Sequence, residues 1–203
     1  MGYKKPDFWS LKAQKEGYPA RSVYKLKEMD EKFGLFRSAG EGFRALDLGA
    51  SPGSWSLYAL RRMGLRGFLA AADLERLSRQ YDQGLFGGAN FFFVQGDITA
   101  EETKSLIGLR GPFQLVLSDA APGTTGNAGV DALRSFALAE TALAYAESFL
   151  AKGGNFAVKI FQGGDAPELL ARIRRGFASG RSFKPQACRS ESFETYYLGL
   201  GKK

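Results

Sequence analysis

The chain has 203 residues, 28 lysines and arginines against 21 acids, one cysteine and no histidine. The missing histidines exclude Ser-His-Asp and Cys-His nucleophile systems, His-ligated zinc and facial-triad iron. The lone Cys188 excludes a disulfide framework, a cysteine-rich zinc site and a CxxC redox pair, so any acid–base chemistry falls to Lys, Asp, Glu or Tyr.

In chain order, PARSVYKLKEMDEKFGLF (19–36) places Val23, Leu26, Met29 and Phe33 at three- and four-residue spacing and predicts a helix opened by Pro19. FRALDLGASPG (43–53) is a short apolar run that ends in a Gly/Pro-rich loop, and 54–64 reads as a helix. GFLAAAD (67–73) and NFFFVQGD (90–97) predict a second and third strand. A helix over 101–109 and a fourth strand over 112–119 follow. An Ala/Leu-rich helix over 129–151 is expected to stop at Gly153-Gly154, before a fifth strand over 155–161 and a helix over 167–177. SFKPQACR and TYYLGLG close the chain as an expected antiparallel pair.

Nearly all-apolar strands alternating with helices describe a parallel sheet covered on both faces. No repeat, low-complexity tract or linker divides the chain. The expected fold is one doubly wound, mostly parallel α/β domain over 1–203, Rossmann-like, with an antiparallel C-terminal strand and a basic N-terminal extension over 1–18. Ligands of such sheets bind at the carboxyl ends of the strands, where Asp47, Asp73, Asp97 and Asp119 are expected.

The positive charge is uneven. Lys4, Lys5, Lys12, Lys15, Arg21, Lys25 and Lys27 against Asp7 and Glu16 give residues 1–27 a local +5. Arg172, Arg174, Arg175, Arg181, Lys184 and Arg189 give 172–190 a local +6, which leaves the rest of the chain at −4. Two basic ends on an acidic-to-neutral body suggest a polyanion footprint made where those ends meet, such as a nucleic acid. Two solvated faces are the blander reading. Tyr3, Phe8, Trp9 and Tyr18 interleave the first run and suit either stacking on unpaired bases or packing as a strap. No apolar run approaches the roughly 18 residues of a membrane span, and the N-terminal residues do not read as a secretory signal, so a cytoplasmic protein away from membranes is expected.

Asp47-Leu48-Gly49-Ala50-Ser51-Pro52-Gly53 has the strand–loop–helix layout of a nucleotide site. It is neither GxGxxG nor a phosphate-binding P-loop. Asp73, twenty residues beyond Gly53, suits the two hydroxyls of a ribose, and Asp97 suits an adenine amino group. Adenosine without pyrophosphate points to S-adenosylmethionine rather than NAD. Among the lysines, Lys159 stands inside an otherwise apolar strand, which is unusual unless the amine is paired or reaches water.

These residues carry a resemblance. Ala20–Leu26, Leu46–Ser56, Gln95–Ile98, Ser118–Pro122 with Gly126, Val158–Gly163, and Ser192 with Glu194 and Tyr196 resemble, in order, the motifs of the FtsJ/RrmJ-type 2'-O-methyltransferases of ribosomal RNA. The likeness spans roughly residues 18–201. It implies a Lys-Asp-Lys-Glu tetrad at Lys25, Asp119, Lys159 and Glu194, and cofactor contacts at Gly53, Trp55, Asp73, Asp97 and Asp119, with Gly49 in the same loop and no metal. A free lysine, titrating near about 10.4, is a poor proton acceptor at neutral pH until desolvation or a nearby cation suppresses its charge. On this reading Lys159 is the general base and Lys25 supplies the cation and polarises the 2'-oxygen. Asp119 and Glu194 hold the two lysines. The implied substrate is a uridine of large-subunit ribosomal RNA, acted on by a monomer. Transfer RNA, another ribosomal site, and a non-catalytic RNA-binding assembly factor are the alternatives. Two departures stand out: Pro-Gly-Ser-Trp where Pro-Gly-Gly-Trp is common, and a longer 74–93 segment that lacks the Pro-Met-x-Pro-Ile of the bacterial ribosomal enzymes.

Overall fold

The computed structural model describes residues 7–189 and 192–203. Its centre is a seven-stranded sheet in the order β3-β2-β1-β4-β5-β7-β6. The strands are β1 (Arg44–Leu48), β2 (Phe68–Asp73), β3 (Phe91–Gln95), β4 (Phe113–Ser118), β5 (Leu150–Phe161), β6 (Phe177–Phe183) and β7 (Glu194–Lys202). The first five pair in parallel, and β7 runs antiparallel to both β5 and β6. The doubly wound, mostly parallel architecture expected from the sequence is the one observed.

Side chains alternate across the sheet, so each strand feeds two cores. Ala45, Leu69, Leu115, Leu117 and Ala157 face α1 (Phe8–Lys15), α2 (Val23–Phe33) and α3 (Ser54–Met63). Leu46, Ala70, Val116, Phe156 and Val158 face α4 (Glu101–Gly108), α5 (Ala128–Phe149) and α6 (Ala166–Gly176). Val23, Leu26 and Met29 are fully buried, each contributing about 1.5–3 kcal/mol by removal from water. The buried carboxylate of Asp30 ties α2 to the turn at Phe36 and to α3: it accepts from the Phe36 N–H at 2.9 Å, the Tyr58 hydroxyl at 2.7 Å and Arg62 Nε at 2.9 Å.

Several boundaries differ from the sequence expectation. The helix expected from Pro19 starts at Val23, because Ala20 is held by the Ser54 hydroxyl through both its N–H and its carbonyl. The N-terminal extension carries a helix of its own. Asp7 caps α1, and Ala13, Trp9 and Tyr18 pack on the core, so two of the interleaved aromatics are strap residues while Phe8 is exposed. Tyr3 lies outside the described residues. α5 stops at Phe149 and β5 begins at once, so Gly153-Gly154 belongs to a strand and not to a helix end. The last antiparallel pair uses 177–183, and most of SFKPQACR is loop.

Candidate active site

A cleft of about 1020 Å³ opens at the carboxyl ends of the parallel strands, where the chain order reverses between β1 and β4. Gly49, Asp73, Asp97, Asp119 and Lys159 line it. Asp47 does not. It lies inside β1, fully buried, with Oδ2 accepting from the Ser56 hydroxyl at 2.7 Å and Oδ1 without a partner. Burial, reinforced by the charges of Asp119 and Asp73 and opposed by the Ser56 bond, pushes its carboxyl up to about 7.

The two glycines of the β1–α3 loop serve the protein's own packing. Gly49 (φ +74°) brings the loop so close to Ala120 that a Cβ would lie 2.5 Å from its Cα. Gly53 (φ +108°) lies under Phe86, whose ring would be 2.9 Å from a Cβ. Gly53 and Trp55 are not part of the cleft wall. Trp55 is buried beneath it, its Nε1 donating to the Ser22 carbonyl at 2.9 Å and its ring tilted against Tyr196. The long 74–90 segment braces the loop from outside: the Ser78 N–H donates to Pro52 O at 3.0 Å, and the Ser51 hydroxyl to Arg76 O at 3.3 Å.

Asp73 accepts from the Ser51 N–H through one oxygen and the Glu75 N–H through the other, both at 2.8 Å, which fixes the carboxylate at the cleft edge. Asp97 Oδ1 accepts from the Thr99 N–H and hydroxyl, both at 2.8 Å, and these bonds hold its carboxyl below the usual range. Its second oxygen is free of those bonds. Three carboxylates around one cleft suit a ligand rich in donors and carrying a cation, such as two ribose hydroxyls, an amino group and a sulfonium. The donor set fits S-adenosylmethionine, and the volume leaves room beside it.

The tetrad residues come together as two ion pairs. Lys159 Nζ is 3.1 Å from Asp119 Oδ1 and 2.5 Å from the Asp119 carbonyl oxygen; Lys25 Nζ is 2.7 Å from Glu194 Oε1. Lys159, Asp119 and Glu194 project on the α2–α3 face, because Lys159 is paired with Tyr196 in the β5–β7 register and Glu194 lies two residues earlier. The ion partner of each lysine is a carboxylate, rather than the other lysine. Tyr196 has a place in the sequence motifs but no assigned role there. It is completely buried, and its hydroxyl donates to Asp119 Oδ1 at 2.7 Å; burial and the carboxylates of Asp119 and Glu194 push its phenol well above the ordinary value. The alternation of Glu194, Tyr196 and Leu198 opposite Lys159 was the available signal.

The basic ends do not simply converge on the cleft. α6 starts at the cleft end of β5 and runs back, so Arg172, Arg174 and Arg175 lie toward the opposite end of the sheet, where Arg172 pairs with Glu140 at 2.6 Å. β6 returns the chain, bringing Arg181, Lys184 and Arg189 toward the cleft end.

A model of the FtsJ-like methyltransferase family matches residues 18–202. The chain is 50% identical over 202 residues to the ribosomal RNA large subunit methyltransferase E of Treponema denticola, covering 99% of this chain and 97% of that one. It is 46% identical to the enzyme of the same name from Nitratidesulfovibrio vulgaris, covering 96% and 94%. Among solved structures, a Plasmodium falciparum protein assigned as a ribosomal RNA methyltransferase superposes with a TM-score of 0.74 at 24% identity, over 91% of this chain and 98% of that one. A Burkholderia thailandensis N1-methyltransferase solved with S-adenosylhomocysteine gives 0.57 at 16% identity, over 90% and 78%. A family match that runs through every strand of the sheet, joined to a cleft whose carboxylates suit the cofactor, means that the chain belongs to the FtsJ-like methyltransferase family and takes its methyl group from S-adenosylmethionine.

Proposed function

We propose that this protein methylates a ribose 2'-hydroxyl of large-subunit ribosomal RNA, at a uridine, with Lys159 as the proton acceptor. The observation that carries this reading is the pair of partly buried lysine–carboxylate contacts beside the cleft. The cofactor, when bound, supplies an electrophilic methyl group on a positively charged sulfur. Asp73 would take the ribose hydroxyls and Asp97 the adenine amino group, each with its carboxylate already oriented by backbone N–H bonds.

A 2'-hydroxyl is a weak nucleophile until it loses its proton. In this reading Lys159 accepts that proton as the oxygen attacks, and the ammonium that forms lies against Asp119 Oδ1 and the Asp119 carbonyl. Lys25, steadied by Glu194, donates to the 2'-oxygen and holds it in line with the methyl group. Lys184 and Arg189 would meet phosphates on the approach to the cleft, since both are charged and lie between β6 and β7. All four tetrad residues come from one chain, which supports action as a monomer. No helix among the described residues is long and apolar enough to cross a membrane, and a cytoplasmic place of work suits a ribosomal substrate.

The test is labelled methyl transfer from S-adenosylmethionine to large-subunit RNA, free and in subunits, followed by mapping of the modified ribose. Label on a large-subunit uridine is the expected result. Label on transfer RNA alone would redirect the substrate, and no label on any RNA would leave a binding factor.

A further inference from the structure

Lys25 and Glu194 belong to elements with no hydrogen-bonded pairing between them: a helix on one face of the sheet and the first residue of an inner strand. Something must hold the β6–β7 loop so that the pair forms. One helical turn beyond Lys25, on the same side of α2, stands Glu28. Its two carboxylate oxygens accept separately from consecutive backbone N–H groups of that loop, Gln186 at 2.7 Å and Ala187 at 2.8 Å. Arg21 grips the same point from the other side. Its guanidinium donates to the Ala187 carbonyl at 2.5 Å and to the Asp7 carboxylate that caps α1. The next residue, Cys188, is buried close to Glu194; burial first and the Glu194 charge second push that thiol up to about 12. The thiol therefore stays protonated beside the carboxylate that Lys25 also meets.

We propose that Glu28 is a positioning residue of the reaction: it pins the loop at Gln186–Ala187 and thereby sets Cys188 and Glu194 against Lys25. Glu28 touches neither substrate nor cofactor in this scheme and acts only through the loop. A carboxylate is needed because two parallel N–H donors require two acceptor oxygens. A glutamine offers one oxygen and turns its own N–H groups toward the second donor. The proposal rests on the reading of Lys25 and Glu194 as catalytic, so its test includes a measurement that does not require activity.

The experiment compares the wild-type chain with Glu28→Ala, Glu28→Gln, Glu194→Ala and the Glu28→Ala/Glu194→Ala double variant. Acetylation of the Lys25 amine by acetic anhydride is read by peptide mass spectrometry. In parallel, kcat and the Kd for S-adenosylmethionine are measured. The expected result is a severalfold rise in Lys25 labelling in Glu28→Ala, to the level of Glu194→Ala, with Glu28→Gln between it and wild type. The kcat of Glu28→Ala falls about tenfold, its cofactor Kd stays within twofold, and the double variant is no slower than Glu194→Ala alone. Unchanged Lys25 labelling in both Glu28 variants would overturn the proposal, as would a full, additive loss of kcat in the double variant. Were the wild-type chain to methylate no RNA, the functional reading would fail while the labelling comparison still decided the role of Glu28.

Discussion

The buried phenol of Tyr196 donates a 2.7 Å hydrogen bond to Asp119 Oδ1, the same oxygen that Lys159 Nζ approaches at 3.1 Å. One carboxylate oxygen thus serves a neutral donor and a lysine at once. The phenol cannot compete for charge, because burial and two nearby carboxylates keep it protonated. Its contribution is orientation: it fixes the Asp119 side chain so that the second contact of Lys159 is constant.

Tyr196→Phe keeps the ring against Trp55 and removes only this bond. A buried hydrogen bond to a charged acceptor contributes about 1.5–3 kcal/mol, so stability in urea should fall by about that amount. The kcat should drop about tenfold while cofactor affinity changes little. An unaltered kcat would mean that Lys159 alone suffices to hold Asp119.

Asp47 gives a pH signature to folding rather than to catalysis. Its folded-state carboxyl titrates at about 7, above the unfolded value of about 3.9, so the folded state binds the proton more tightly. The stability this contributes is complete below about pH 4 and is lost as pH rises toward 7. Asp47→Asn removes the charge. Relative to wild type, the variant should gain stability between pH 5 and pH 8, on the order of a few kcal/mol. Denaturant titrations at the two pH values check the sign, and a difference that is flat with pH would contradict it.

Much of the fold was legible because the strands are short apolar runs and the helices carry an apolar stripe. What escaped the sequence depended on contacts made across the sheet. Pro19 suggested a helix start, but the Ser54 hydroxyl holds Ala20 in a turn and delays the helix to Val23. Gly153-Gly154 suggested a helix end, yet the backbone turns extended already at Leu150. The site was legible in its residue types and less so in its partners. Gly49 lines the cleft and Gly53 does not, while at both positions neighbours that the sequence does not reveal, Ala120 and Phe86, occupy the space a side chain would need. The pairing of Lys159 with Asp119 depends on β4 lying beside β5, and that of Lys25 with Glu194 on where β7 joins the sheet, neither of which a local pattern encodes.

Cofactor affinity should follow Asp73 and Asp97 separately from turnover. Asp73→Ala removes the acceptor of the Ser51 and Glu75 N–H groups as well as the proposed ribose contact. The Kd for S-adenosylmethionine should rise at least tenfold by calorimetry, which corresponds to about 1.4 kcal/mol or more. Asp97→Ala should raise it less, because its bonds to Thr99 orient one carboxylate oxygen only. Equal affinity in all three proteins would remove both residues from the cofactor site.

The placement of the basic residues divides them into two groups. Charge reversal at Lys184 and Arg189, toward the cleft end, should weaken RNA binding and flatten its dependence on salt by about two phosphate contacts. Reversal at Arg174 and Arg175, toward the far end of the sheet, should leave both unchanged. Filter binding across a salt series reads the slopes, and equal losses from the two pairs would restore a single continuous footprint.

If Lys159 accepts the proton of the attacking hydroxyl, Lys159→Ala removes the acceptor and leaves the cofactor site in place. Single-turnover methyl transfer to large-subunit RNA, measured beside cofactor binding, reads the difference. Transfer should fall by at least about a thousandfold, while the Kd for S-adenosylmethionine stays within a few-fold of wild type. Retained transfer in that variant, with the cofactor bound as tightly, would contradict that role for Lys159.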